Sequence, residues 1–222
     1  MAETLLAGTG VARRFPQGAG FFDALLPVDF EVRSGDRIAI VGPSGGGKST
    51  LLQLMAGLDR PSAGTLRWPA LGLREQLRPE HVGVVFQAAN LLPTLSAVEN
   101  VEIPVRLLAR HPQPRTLALA ALERVGLAAL ADKLPGELSG GQAQRVGLAR
   151  AIVLQPRLVL ADEPTGQLDQ ATAQTVIGAL LQALQDSDAA LVLATHDDSV
   201  AQRLAARWTL AHGRLTLPGG RA

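Results

Sequence analysis

The sequence predicts an α/β chain with a mostly parallel sheet core, an antiparallel β layer near its N-terminus and an inserted helical subdomain. Three observations carry that expectation. Four short runs, Ile38 to Val41, Val82 to Phe86, Leu158 to Ala161 and Leu191 to Thr195, are dense in Ile, Val and Leu rather than alternating with polar residues. That is the pattern of strands covered on both faces. Between the last two lies a helical stripe of Val176, Ile177, Leu180, Leu181 and Leu184, with Asp169 placed to cap its start. Strand, helix and strand in that order read as a parallel crossover. The stretch from Ala88 to Gln155 is instead rich in Leu and Ala and punctuated by Pro93, Pro104, Pro112, Pro114 and Pro135, so it reads as helices set between two strands.

Ahead of the first core strand, Leu5 to Phe15 and Val28 to Val32 read as extended segments flanking the stretch from Gly18 to Phe22, an antiparallel layer. Without repeats or an interdomain linker, 1–222 reads as a single domain. Its core and β layer are expected over 1–87 and 156–222, and its helical subdomain over 88–155.

Composition excludes several classes. The 222 residues are 47% hydrophobic and 18% charged, with net charge +1 and no cysteine, which suits one globular domain and excludes disorder, a disulfide scaffold and collagen. With 21 basic residues against 20 acidic ones, the surplus needed to neutralise nucleic-acid phosphates is absent and no nucleic-acid partner is expected. Apolar runs such as Ala189 to Ala194 are far shorter than the roughly 20 residues that cross a bilayer. Glu3 stands where a secretory signal would carry positive charge, so a cytoplasmic location is expected.

The run Ile38 to Val41 leads straight into Gly42-Pro43-Ser44-Gly45-Gly46-Gly47-Lys48-Ser49-Thr50 and then the apolar Leu51 to Ala56. This is a P-loop in its strand, loop and helix setting. Glycines let successive backbone N–H groups converge on phosphate oxygens, and the following helix adds its dipole. Lys48 would reach the β- and γ-phosphates and Ser49 would ligate Mg²⁺. Lys48 and Lys133 are the only lysines among the 21 basic residues, so a compact ammonium at this position is not incidental.

Leu158 to Ala161 ends in Asp162 and Glu163. Beside a P-loop, such a pair can hold Mg²⁺ through Asp162 and face the attacking water with Glu163; alone it would equally be a capping or solvated pair. Leu193-Ala194-Thr195 delivers His196 to the same expected edge, where an imidazole can bond the γ-phosphate or position water, although strand-end histidines are commonly surface residues. Leu138-Ser139-Gly140-Gly141-Gln142 precedes a helical run, Ala143 to Val153. Physics alone allows either a capped helix or an anion-binding N-terminus there.

Taken together these residues resemble the ATP-binding cassette (ABC) transporter ATPase family across nearly the whole chain. The resemblance implies a P-loop NTPase of RecA-like type binding ATP and Mg²⁺. It assigns Gly42, Gly45, Gly47, Lys48, Ser49 and Thr50 to the Walker A loop, with Pro43, Ser44 and Gly46 inside it. Gln87 becomes the Q-loop glutamine, a metal and catalytic-site residue. Asp162 becomes the Walker B acid, Glu163 the catalytic base and His196 the switch histidine. Ser139, Gly140, Gly141 and Gln142 belong to the signature sequence, and Asp169 closes the D-loop that begins at Gly166. Phe15 is similar in position to the adenine-stacking aromatic, where the family more often has tyrosine; Phe21, Phe22 or a core role for Phe15 are alternatives.

In this family two cassettes pack head to tail, so the resemblance implies a second cassette, a homodimer or a sister chain, and a membrane permease driven by closure and opening. It places the chain on the inner face of the cell membrane. The stretches Phe86 to Val101 and Leu160 to Asp169 look like the branch serving macrolide exporters and lipoprotein-releasing complexes. Three features depart from that pattern: the short span from Thr65 to His81, Gln167 in place of asparagine, and Gly147 in the signature helix where alanine is the better helix former. A soluble ABC-type ATPase of DNA repair or translation is the alternative, although such chains carry two cassettes or a coiled-coil insertion.

Overall fold

A computed structural model of the chain describes residues 2–18, 20–108 and 112–218. These residues fall into two compact units, one drawn from Met1–Leu77, Leu160–Asp162 and Ala190–Ala222, the other from Arg78–Val159 and Glu163–Ala189.

The first unit opens with β1 (Thr4–Gln17) and β2 (Gly20–Arg33), paired antiparallel from Thr4 opposite Arg33 to Gln17 opposite Gly20. The expected layer is present, but its strands run on through Phe21 and Phe22 rather than leaving them in a loop. Cross-strand pairs such as Phe15 with Phe22 extend the ladder almost to the turn. Leu5, Leu6, Val11, Leu25, Phe30 and Val32 are buried from this layer. Then come β3 (Arg37–Val41), α1 (Lys48–Met55) and β4 (Ala63–Arg67). β4 pairs with β1, giving a three-stranded sheet ordered β2-β1-β4.

The second unit holds β5 (Val82–Val85), α2 (Ala97–Leu108), α3 (Pro114–Arg124), α4 (Gly140–Ile152), the start of β6 (Leu158–Asp162) and α5 (Gln170–Ala183). Pro114 starts α3, where its missing N–H costs nothing. Pro104, one of the prolines punctuating this stretch, lies inside α2. Burial of Val98, Val101 and Val105 along one stripe of that helix offsets a proline cost of about 3 kcal/mol.

The chain returns to the first unit with β7 (Ala190–Thr195), α6 (Asp198–Ala201), β8 (Ala206–Ala211) and β9 (Arg214–Thr216). Its larger sheet is ordered β6-β7-β3-β8-β9. β3 pairs in parallel with both β7 and β8, and β9 closes the edge antiparallel. Ile38, Ala39 and Ile40 and all of β7 are buried, as a strand covered on both faces requires.

Candidate nucleotide-binding site

In the first unit Val41, the last residue of β3, stands opposite Thr195 on β7 and Thr209 on β8. The loop from Gly42 and the residue His196 therefore leave neighbouring parallel strands at one sheet edge, where open α/β sheets gather ligands. The loop is threaded tightly through its surroundings. A Cβ on Gly42 would overlap the carbonyl oxygen of Leu210, and one on Gly47, at φ 102°, would overlap that of Ala24. A Cβ on Gly46 would come within 2.9 Å of Leu210 O. Gly45, at φ 74°, faces open space. Its glycine answers a backbone demand, whereas Gly42 and Gly46 answer close approach.

α1 begins directly at Lys48 with Gly47 as a cap lacking a side chain, so no side chain of the cap competes for its first N–H groups. Lys48 is 4% exposed. Its Nζ donates to Gly42 O at 2.9 Å and Pro43 O at 3.1 Å, curling over the loop. Pro43, Ser44 and Ser49 are exposed and Thr50 is half-buried. Asp162 ends β6, beside β7. His196 is exposed and precedes Asp197, which accepts from Ser199 N at 2.8 Å to cap α6 and donates its own N–H to Thr195 Oγ1 at 3.0 Å. The hydrogen bonds from Ser199, with a smaller contribution from His196, hold the Asp197 carboxyl below its ordinary value. Phe15 is half-buried on β1, outside the core, and Phe21 and Phe22 are exposed.

In the second unit Gln87 is exposed just past β5. Glu163 has φ 43°, a left-handed conformation that glutamate seldom adopts. A Cβ on Gly166 would lie 3.2 Å from Gln87 Nε2 and 3.4 Å from Glu163 Oε2, so the amide and the carboxylate both lie beside this glycine. Ser139 caps α4 reciprocally: its Oγ accepts from Gln142 N at 3.3 Å, and its N–H donates to Gln142 Oε1 at 2.8 Å. Asp169 caps α5, its Oδ1 accepting from Thr172 N at 3.0 Å and its Oδ2 from Thr172 Oγ1 at 2.5 Å. These bonds hold the Asp169 carboxyl below its ordinary value. A Cβ on Gly141 would overlap Thr172 Cγ2, and one on Gly140 would touch Leu168 at 3.4 Å. The glycines of 138–142 thus let the start of α4 lie against the start of α5.

Sequence reasoning overlooked two side chains of α4. Buried Gln144 donates to Phe86 O at 2.8 Å, and Arg150 donates to Asn90 O at 2.9 Å and Ala89 O at 2.6 Å. Burial lowers the Arg150 guanidinium from its ordinary value. Together they hold the backbone on either side of Gln87. The available signal was polarity at Gln144 within an otherwise apolar helix face.

A phosphate-type glycine loop around a buried lysine, between a central parallel strand and a helix, defines a P-loop nucleotide-binding protein. The chain belongs to the ABC transporter family, whose pattern matches residues 25–166, and is an ATP-binding, ATP-hydrolysing transporter subunit. It is 44% identical over 214 residues to the lipoprotein-releasing system ATP-binding protein LolD of Gluconobacter oxydans, covering 93% of each chain. To LolD of Hydrogenovibrio crunogenus it is 40% identical over 227 residues, 98% of each chain. Among solved structures it matches the dimeric ATP-binding cassette MJ0796 bound to ADP and Pi, with TM-score 0.84, 33% identity, and coverage of 97% of this chain and 100% of that one. It also matches cbiO1 of Clostridium perfringens, part of an ABC transporter complex, with TM-score 0.84, 27% identity and coverage of 97% and 88%.

Proposed function

We propose that this chain powers a membrane permease of the lipoprotein-releasing type, working at the cytoplasmic face of the inner membrane as a pair of cassettes formed by two copies of itself. The carrying observation is the likeness to lipoprotein-releasing ATP-binding proteins, 40% and 44% identical over 98% and 93% of the chain. Among the described residues no helix is long and apolar enough to cross a membrane, which suits a subunit that needs a membrane partner. Residues 1–222 act as one nucleotide-binding domain, with 88–155 its helical subdomain.

The site roles follow the family resemblance. Phe15 stacks the adenine, the backbone from Gly42 through Thr50 cradles the phosphates, and Lys48 leaves its two carbonyl partners for phosphate oxygens. His196 hydrogen-bonds the γ-phosphate. Glu163 takes a proton from water as the water oxygen bonds to the γ-phosphorus and the bond to the bridging oxygen of ADP breaks. Its position beside Gln87 and Gly166 supports that assignment. Ser139, Gly140, Gly141 and Gln142 of one copy face the ATP held by the other, with Asp169 at the same junction.

Mg²⁺ fits the donors present, because it takes one or two carboxylates together with substrate phosphates and waters rather than a closed protein cage. Ser49, exposed in the first turn of α1, and Asp162 at the end of β6 offer a hydroxyl and a carboxylate, to which the family resemblance adds the amide oxygen of Gln87. Bound there, the ion neutralises charge developing on the β- and γ-phosphates.

The deciding experiment is purification of the Glu163→Gln chain with ATP from native membranes. Recovery of a permease with a large extracytoplasmic domain, the kind that resemblance to this branch implies, is expected, with hydrolysis abolished. A pore-type permease would overturn the lipoprotein-release reading, and hydrolysis at the wild-type rate would overturn the role of Glu163.

A further inference from the structure

We propose that Arg13 is a positioning residue for nucleobase recognition: clamped by Asp59 and Ser62, its guanidinium backs one face of the Phe15 ring and leaves the opposite face as the platform for a purine. The proposal rests on Phe15 being the base-stacking residue, as argued above.

Arg13 and Phe15 lie two residues apart on β1, and the Arg13 Cζ sits 4.3 Å from the Phe15 ring centroid. That is well inside the range in which a guanidinium is attracted to an aromatic face. The guanidinium is held in place from the other side. Nε donates to Asp59 Oδ2 at 2.7 Å and Nη2 to Asp59 Oδ1 at 3.0 Å, a two-pronged pair, while Nη1 donates to Ser62 Oγ at 3.3 Å and to Arg14 O at 3.4 Å. Both side chains of the ion pair are 23% exposed, so the pair is shielded enough to keep its geometry, unlike a loose surface contact.

Asp59 is tied in turn to the helix that follows the phosphate loop, its N–H donating to Gln53 O on α1 at 3.2 Å. One continuous set of contacts therefore runs from the helix beginning at Lys48, through Asp59 and Arg13, to the Phe15 ring. It sets where a base can stack relative to where its phosphates are held.

Neighbouring Phe21 is held more loosely. Arg14 lies 5.8 Å from the Phe21 ring centroid, and its pair with Asp23, at 3.4 Å, is exposed. The chain has no tyrosine, and phenylalanine carries no hydroxyl with which to anchor its own ring. Arg13 supplies that anchorage. A ring fixed before the ligand arrives loses less freedom on binding, and a cation on one face draws π-electron density away from the other, favouring a stacked electron-rich purine.

The test measures binding of a fluorescent ribose-labelled ATP, and competition by ATP and by inorganic tripolyphosphate, to the full chain and to Arg13→Gln, Arg13→Lys, Phe15→Ala and the Arg13→Gln/Phe15→Ala pair. Arg13→Gln should weaken ATP binding about two- to fivefold and Phe15→Ala about tenfold. The double variant should be no weaker than Phe15→Ala, Arg13→Lys should fall between Arg13→Gln and the parent, and tripolyphosphate affinity should stay unchanged throughout. A loss from Arg13→Gln that persists in the Phe15→Ala background, or that extends to tripolyphosphate, would overturn the proposal. So would ATP binding unaffected by Arg13→Gln while Phe15→Ala weakens it. ATP binding unaffected by Phe15→Ala would instead overturn the reading of Phe15 itself.

Discussion

Gln144, one turn into α4, donates a 2.8 Å hydrogen bond to the carbonyl of Phe86, the residue immediately before Gln87. The helix that begins at Gly140 therefore also holds the backbone leading into Gln87. Arg150 repeats the arrangement two turns further on, against Ala89 and Asn90. The backbone on both sides of Gln87 is thereby fixed to one helix.

Replacing Gln144 by leucine should remove that tether and leave the Phe86 carbonyl without its side-chain partner, costing about 1 to 2 kcal/mol. Denaturant unfolding would read the cost. Permease-stimulated hydrolysis should fall further than ATP affinity; an equal fall in both would contradict a role in holding the Q-loop.

Gly42→Ala and Gly45→Ala should differ sharply. The first drives a Cβ into the Leu210 carbonyl and should abolish ATP binding along with much of the stability. The second meets no neighbour within 4 Å and bears only the left-handed backbone cost of about 1 to 2 kcal/mol. Thermal unfolding of the two variants, with ATP-binding isotherms, separates the two causes.

Two glycines of α4 should respond in opposite directions to alanine. A Cβ on Gly147 would meet Ala89 at 3.5 to 3.6 Å, an ordinary contact, so the variant should be stabilised by about 0.5 to 1 kcal/mol through helix propensity. A Cβ on Gly141 would overlap Thr172, so that variant should be destabilised and hydrolysis lost. Urea midpoints at constant slope would show both effects.

Asp169 predicts a pH effect. Its folded-state value is depressed below 3.8, first by its hydrogen bond with the Thr172 side chain and then by the Thr172 N–H. A depressed carboxyl stabilises the fold above its unfolded value, and that contribution is lost as pH falls below 3.8 and through the lower folded value. Asp169→Asn keeps an acceptor for the Thr172 N–H but no titrating group. The difference in stability between the parent and this variant should therefore shrink as acid is added, as followed by circular dichroism melts from pH 6 downward.

The site is read unevenly from the two levels. Glycine spacing at 42–47, the ammonium of Lys48, the paired acids 162–163 and the run 138–142 are legible in sequence because each depends on local backbone geometry and on residue type. The buried strands are legible for the same reason: Ile38 to Val41 and Leu191 to Thr195 must be covered on both faces wherever they sit. Where Pro104 falls relative to its helix is not legible, since its local cost is outweighed by burial of valines that only a packed helix provides. The extension of the strands through Phe21 and Phe22 is not legible either, because cross-strand pairing rather than local signal extends them.

What the chain's own order of residues determined is thus the family and the phosphate loop. Only the tertiary structure decided which groups restrain which others: Asp59 on Arg13, Arg13 on Phe15, Gln144 and Arg150 on the segment around Gln87, and Thr172 against Gly141. Most of these partners lie between 31 and 61 positions apart in sequence. A short-range pattern cannot encode such contacts, because they exist only once packing has brought distant segments to hydrogen-bonding or van der Waals distance.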